Sequence, residues 1–300
     1  MDALTRRDSS AQQDSSAHHD TSPPRLHRLS AWDGLVLTVR EWGGGADRRP
    51  LLCLPGIVRT GGDFAGVAVA LGEGRRVIAP DYAGRGESGR ARRVDRYAAE
   101  ACVRDILDIC AALHVHGAIG IGTSFGGLLC MGIAAARPSL LHAVVLNDIG
   151  PDISGDGTDF VRRFIATDPA LPDLAACTAY LRKVLPPLAL ASDAEWEQMA
   201  RLTYAPALDG LWHPLWDTRL AQLLQAPAPD LWPLFGALAH MKLLLVRGEA
   251  SDILLPDTVA RMQAARPDMA VVSLPGIGHA PTLGEPGVVA ALHDFLDRIG

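Results

Sequence analysis

The chain has 300 residues, 48% of them hydrophobic and 21% charged, which is enough apolar material for one large core, so one domain with an insertion fits as well as two domains. A formal net charge of −6 with dispersed arginines argues against a nucleic-acid surface; the densest basic stretch, Arg85 to Arg96, is offset by Glu87 and Asp95. No run reaches the ~18 apolar residues of a membrane span, and the cysteines (Cys53, Cys102, Cys110, Cys130, Cys177) are odd in number and lack C-x-x-C spacing, which points to buried free thiols in a reducing, cytoplasmic setting rather than disulfides or zinc ligands.

Residues 1–28 are rich in Ser, Asp, Gln and His and contain no apolar run, so they read as a disordered tail and not as a signal peptide. Order is expected from about Leu29, where Ser30-Ala31-Trp32, Asp33-Gly34 and Leu35 to Val39 spell a hairpin with a tight turn. Pro50 to Leu54 is a buried strand ending at Pro55-Gly56, and a helix follows from Asp63 to Leu71. Arg76 to Pro80 is the next strand, and Ala98 to Leu113 the next helix. The apolar run Ala118 to Ile121 then leads through Gly122-Thr123-Ser124-Phe125-Gly126 into a small-residue helix, and His142 to Asn147 is another buried strand.

Short apolar strands alternating with helices predict a mostly parallel, twisted α/β sheet covered on both faces. From Asp152 to Trp232 the alternation stops, and the segment reads as several helices with many prolines. It resumes with the strand Lys242 to Val246, a helix from Pro256 to Arg266, the strand Met269 to Leu274 and a last helix from Glu285 to Ile299. The expected organisation is therefore a core of residues 29–151 and 233–300 interrupted by a helical insertion, 152–232.

The chemistry gathers at the carboxyl ends of the strands, where such sheets hold their ligands. Gly122 to Gly126 is a strand–turn–helix with serine at the apex, a geometry that pushes the hydroxyl out of the sheet and starts a helix whose free N–H groups favour a nearby oxyanion. A serine hydroxyl needs an imidazole to take its proton, and the imidazole needs a carboxylate to orient it. His279, in Pro275-Gly276-Ile277-Gly278-His279, falls in the loop after a later strand. Asp252, near the middle of the loop after Val246, is the preferred acid; Asp148, at the end of an earlier strand, is its rival, and Glu249 sits too early in its loop. The order Ser124, Asp252, His279 is one of the known orders for this triad. The oxyanion donors are expected to be the amides of Phe125, directly after the nucleophile, and Ile57, in the loop after Leu54. No glycine pattern for phosphate and no metal-ligand spacing accompanies these residues, so neither cofactor nor metal is expected.

These motifs resemble the α/β-hydrolase superfamily: Leu54-Pro55-Gly56-Ile57, Asp81-Tyr82-Ala83-Gly84-Arg85-Gly86-Glu87-Ser88, Gly122 to Gly126, Gly248 through Asp252 to Pro256, and Gly278-His279, in that order. The resemblance implies that the insertion is a helical cap walling the substrate pocket; its aromatics either pack the cap or line the pocket, and Leu211 to Trp216, with Trp212 and Trp216, is the segment expected to face the substrate. Departures from relatives narrow the chemistry. Pro55 stands where many relatives carry His, so the oxyanion loop must be supported differently. Ser124 in place of Asp argues against dehalogenase and epoxide-hydrolase chemistry, Ala280-Pro281 lacks the Trp common in carbon–carbon hydrolases, and Phe125 replaces the Met of haloperoxidase-like members. The resemblance thus implies a serine hydrolase of small or medium apolar esters, thioesters or lactones. Its partner is a small-molecule substrate, neither nucleic acid nor membrane, and the oligomeric state is not legible. A carbon–carbon hydrolase or lactonase on the same scaffold is the alternative, and a non-catalytic ligand receptor a further one.

Overall fold

The computed structural model describes residues 23–45, 47–153, 155–225 and 229–299; most of the expected tail, residues 1–22, lies outside them. Strands β1 (Arg25–Ser30) and β2 (Val36–Trp42) form the expected hairpin, with β1 starting ahead of Leu29. They are followed by β3 (Leu51–Leu54), α1 (Ala65–Leu71), β4 (Val77–Pro80), α2 (Ala99–Ala112), β5 (Ala118–Thr123), α3 (Phe125–Ala136) and β6 (Leu141–Asn147). The inserted stretch holds α4 (Gly155–Ala166), α5 (Leu174–Val184), α6 (Asp193–Arg201) and a small antiparallel pair, β7 (Tyr204–Pro206) with β8 (Trp212–Pro214), which the sequence reading did not anticipate. The chain closes with α7 (Trp232–Gly236), β9 (Lys242–Gly248), α8 (Pro256–Ala265), β10 (Ala270–Leu274) and α9 (Pro286–Ile299).

The main sheet runs β1-β2-β4-β3-β5-β6-β9-β10, antiparallel across β1-β2-β4 and parallel from β4 to β10. Successive residues of its central strands feed opposite cores, as the two-residue period of a strand buried on both faces requires. Leu52, Leu54, Ile78, Val144, Leu146 and Leu245 join the core that packs α2, α3 and α8 on one face. Leu51, Cys53, Val77, Ile119, Val145 and Val246 join the core that packs α1 and α9 on the other.

The insertion docks on the core through main-chain pairing. The Gly86 amide donates to Leu215 O at 2.7 Å and the Asp217 amide to Gly84 O at 2.9 Å, with Arg85 and Trp216 forming the bridge between them. The parallel register brings Thr123, Asn147 and Val246 side by side, so the chain leaves β5, β6 and β9 at one edge of the sheet.

Candidate active site

Ser124 occupies a positive-φ conformation (φ 51°, ψ −117°) between β5 and α3. Few side chains tolerate this backbone, and its neighbours make room for it. A Cβ on Gly122 would lie 2.4 Å from the Gly126 carbonyl carbon, and one on Gly126 would lie 1.9 Å from Leu54 O. Only a bare backbone lets the elbow fold so tightly against the β3 loop. The Ser124 amide donates to Asn147 O at 2.9 Å, anchoring the turn to the adjacent strand.

His279 reaches back from the loop after β10, its Nε2 2.8 Å from Ser124 Oγ and its Nδ1 2.8 Å from the Asp148 carboxylate. Asp148 is fully buried, directly beyond β6, and its left-handed backbone (φ 57°) turns the side chain toward the imidazole. Its other carboxylate oxygen accepts the Gly248 amide at 3.0 Å. Asn147 adds a tie across the site, donating to Thr123 Oγ1 at 3.0 Å and to Pro281 O at 2.8 Å, so the elbow and the histidine loop share one support.

The preference for Asp252 is therefore corrected: it is not the carboxylate on His279. Its side chain is exposed, in a turn where the Ser251 hydroxyl accepts the amides of Ile253 and Leu254, and Glu249 is exposed as well. The physical reason is local backbone: the left-handed residue directly beyond β6 carries a buried carboxylate onto the imidazole, whereas Asp252 sits farther along the loop after β9 with its side chain in solvent.

Ile57 and Phe125 both lie at the elbow. Phe125 opens α3, where an amide has no intrahelical acceptor, and among the described residues the Ile57 amide has none either. Three successive carbonyls of the facing loop are held: Pro55 O accepts from Tyr82 OH at 3.0 Å, Gly56 O from the Arg59 amide at 3.0 Å, and Ile57 O from Arg85 Nε at 2.8 Å. Two of these three donors, Tyr82 and Arg85, come from the loop 81–88.

A cavity of about 350 Å³ opens above Ser124 and His279 between core and insertion. Phe160, Phe164, Leu181, Leu188 and Met199 supply apolar walls from the insertion, while Ile57 and Arg59 close the core side. Trp212 and Trp216 are absent from this lining, which corrects their expected substrate-facing role. Trp216 is 1% exposed, packed at a tilt against Phe164 and Tyr204 with its Nε1 donating to Ile165 O at 2.9 Å, so it holds the insertion together. Trp212 sits in β8, paired through its backbone with Leu171. Arg59 was not foreseen. It forks onto Asp63 with two 2.7 Å bonds and reaches Thr203 of the insertion at 2.6 Å, yet nothing in its sequence setting, a loop after Pro55-Gly56, marks it as facing a cavity.

Comparison with known proteins agrees with this architecture. Residues 49–286 match the family model described as alpha/beta hydrolase fold. The 3-hydroxybutyrate-oligomer hydrolase of Cupriavidus necator is 32% identical over 285 residues, covering 91% of this chain and 94% of that protein. The 2-(acetamidomethylene)succinate hydrolase of Mesorhizobium japonicum is 29% identical, covering 88% and 92%. An alpha/beta hydrolase of Novosphingobium aromaticivorans superposes with a TM-score of 0.86 at 35% identity, covering 92% of this chain and 99% of its own. Among the described residues no helix is long and apolar enough to cross a membrane. With a parallel sheet, a strained serine elbow and a family match across most of its length, the chain belongs to the α/β-hydrolase family.

Proposed function

We propose that this hydrolase cleaves carboxylic esters through a covalent acyl-enzyme, with Ser124 as nucleophile, His279 as proton carrier, and Asp148 as the carboxylate that orients the imidazole. The observation that carries the reading is the continuous line of hydrogen bonds from Asp148 through both nitrogens of His279 to Ser124 Oγ, at the floor of an apolar cavity. As Oγ bonds to the carbonyl carbon, its proton passes to Nε2, and the carbonyl π electrons become an oxyanion held by the Ile57 and Phe125 amides. Collapse breaks the ester C–O bond, and Nε2 returns its proton to the leaving alkoxide. Water then repeats both steps on the acyl-enzyme, releasing the acid and restoring Ser124. Asp148 orients the imidazole and stabilises the imidazolium formed in each half-reaction.

The substrate class we infer is a short ester of hydroxy acids. The 32%-identical relative from Cupriavidus necator acts on 3-hydroxybutyrate oligomers, and it is aligned over nearly the whole of both chains. The cavity suits such a chain: its walls are mostly apolar, and the Arg59 guanidinium, already bonded to Asp63 and Thr203, keeps N–H donors for a second carbonyl or a terminal carboxylate. A cytoplasmic location goes with the five cysteines, all buried and unpaired.

A fluorophosphonate probe should label Ser124, and Ser124→Ala should abolish both labelling and hydrolysis of 3-hydroxybutyrate dimer and trimer. Ester turnover surviving in Ser124→Ala would sink the mechanism. Turnover of p-nitrophenyl esters without turnover of the oligomers would keep the mechanism and remove the substrate class.

A further inference from the structure

Arg85 is 1% exposed, yet among the described residues no carboxylate pairs with it. Its Nε donates to Ile57 O at 2.8 Å and its Nη1 to Ala83 O at 2.7 Å, while Nη2 meets no oxygen acceptor and the guanidinium's remaining polar neighbour is the buried Cys102 thiol. Its guanidinium carbon lies 5.6 Å from the Tyr82 ring centre, 5.7 Å from that of Tyr97 and 5.8 Å from that of Phe125. Burial of a charge without a counter-ion is costly, and an apolar side chain of similar volume would fill the same space without that cost. Three aromatic faces and two carbonyls offset part of it. They do not explain why a cation stands there at all.

The position supplies an explanation. Arg85 touches both residues whose amides are read here as the oxyanion donors: it bonds the carbonyl of Ile57 and lies against the ring of Phe125. The Ile57 amide belongs to the Gly56–Ile57 peptide, and the carbonyls before, within and after that peptide are held by Tyr82 OH, the Arg59 amide and Arg85 Nε. With flanking and central peptide planes all fixed, the N–H has little freedom to swing away from the reacting carbonyl. Donors fixed in advance need no reorganisation when the oxyanion forms, and a nearby buried cation favours negative charge developing in that region. The same loop is where the insertion docks, through Gly86 to Leu215 O and Asp217 to Gly84 O, so the seat of the cap and the aim of the Ile57 amide meet in one segment.

We propose that Arg85 is a positioning residue for the oxyanion hole, locking the Ile57 peptide and bracing Phe125 from the loop on which the cap is seated. The proposal rests on the reading of the Ile57 and Phe125 amides as oxyanion donors. It deepens that reading by assigning the Ile57 peptide a support from the loop 81–88.

The test is the series Arg85→Lys, Arg85→Gln and Arg85→Met, with kcat and KM measured on p-nitrophenyl butyrate, inhibition by butylboronic acid, which forms a tetrahedral serine adduct, and thermal midpoint. Loss of one oxyanion donor costs about 10²–10³ in kcat, so loss of its support should cost about 10–100-fold in Arg85→Met, with KM within about threefold and the boronate weakened by about the factor lost in kcat. Arg85→Lys, keeping charge and one donor, should recover most of the loss, and Arg85→Gln should fall between. If Arg85→Met does not fold, the Lys and Gln variants carry the same comparison. The proposal is overturned if the folded variants keep kcat within about threefold of wild type, or if kcat falls while boronate affinity holds, which is what a merely structural role would give. Wild type and Ser124→Ala run alongside separate the two readings: turnover surviving in Ser124→Ala removes the ester-hydrolase mechanism itself, whereas complete loss there with an indifferent Arg85 series removes only the positioning role.

Discussion

An imidazole that accepts a proton from serine must present one fixed nitrogen to it, and the other nitrogen needs an immobile acceptor. Asp148 satisfies this with no solvent exposure, one oxygen on His279 Nδ1 and the other on the Gly248 amide. Asp148→Asn keeps the volume but turns an acceptor into a possible donor, which would select the wrong imidazole tautomer, and a loss in kcat of about 10³–10⁴ is expected with KM little changed. Asp252→Asn should leave kcat within about twofold, because that side chain faces solvent. Steady-state kinetics of the two variants side by side decide between the acids; a large loss in Asp252→Asn with an active Asp148→Asn would reverse the assignment. The sequence could not separate them because both carboxylates follow a core strand and precede His279 in the chain. What distinguishes them is the backbone at Asp148, a left-handed residue one step beyond β6, and no pattern of residue types encodes that. Ser124 stood out for the opposite reason: the flanking glycines that its strained turn requires are visible as letters.

At the scale of elements, the inserted segment was the least legible. Its period and prolines suggested helices, and α4, α5 and α6 are there, but β7 and β8 have three residues each and end in proline, too short to announce a strand. Its tryptophans drew attention as pocket walls, whereas a large flat ring is just as good at filling the centre of a small helical layer, and Trp216 does that while the smaller Phe160 and Phe164 face the cavity. The hairpin carries a charge device of its own. His213 on β8 has Nδ1 2.7 Å from Asp168 and Nε2 2.9 Å from Asp209, and these carboxylates, Asp168 first, raise its pKa above the ordinary histidine value. A raised folded-state pKa means that this contribution is fully present below the unfolded value, about 6.5, and is lost as pH rises through the folded one. Thermal midpoints of wild type and His213→Gln should therefore differ most near pH 6 and converge as pH rises above the raised value. The gap should also shrink in high salt, since the groups are partly exposed. A gap independent of pH would mean that the ring acts by packing alone.

For the whole molecule, the sheet and its helices were the legible part, because strands buried on both faces must be continuous apolar runs and each is set off by a helix of different period. The cavity was not, since it belongs to neither layer: the core supplies Ser124, His279 and the loop 55–59, the insertion supplies most of the apolar wall, and the two meet through the Arg85–Trp216 bridge and the Arg59–Thr203 bond. A binding site divided in this way predicts that substrate length is read by the insertion while the chemical step is set by the core. Each methylene buried against apolar wall is worth about 0.8 kcal/mol, so kcat/KM on straight-chain p-nitrophenyl esters should climb by up to about fourfold per carbon until the cavity of about 350 Å³ is filled, then level or fall. Leu188, on the loop after α5 and part of the wall, offers the means to move that limit. Leu188→Trp should leave acetate and butyrate esters within about threefold of wild type and lower kcat/KM on octanoate by about tenfold or more, the loss of roughly two buried methylenes. The discriminating result is the slope with chain length. If acetate and octanoate fall together, the tryptophan has disturbed the core's chemistry and the acyl chain does not lie along the insertion; if only the longer esters suffer, the division between reading and reacting holds.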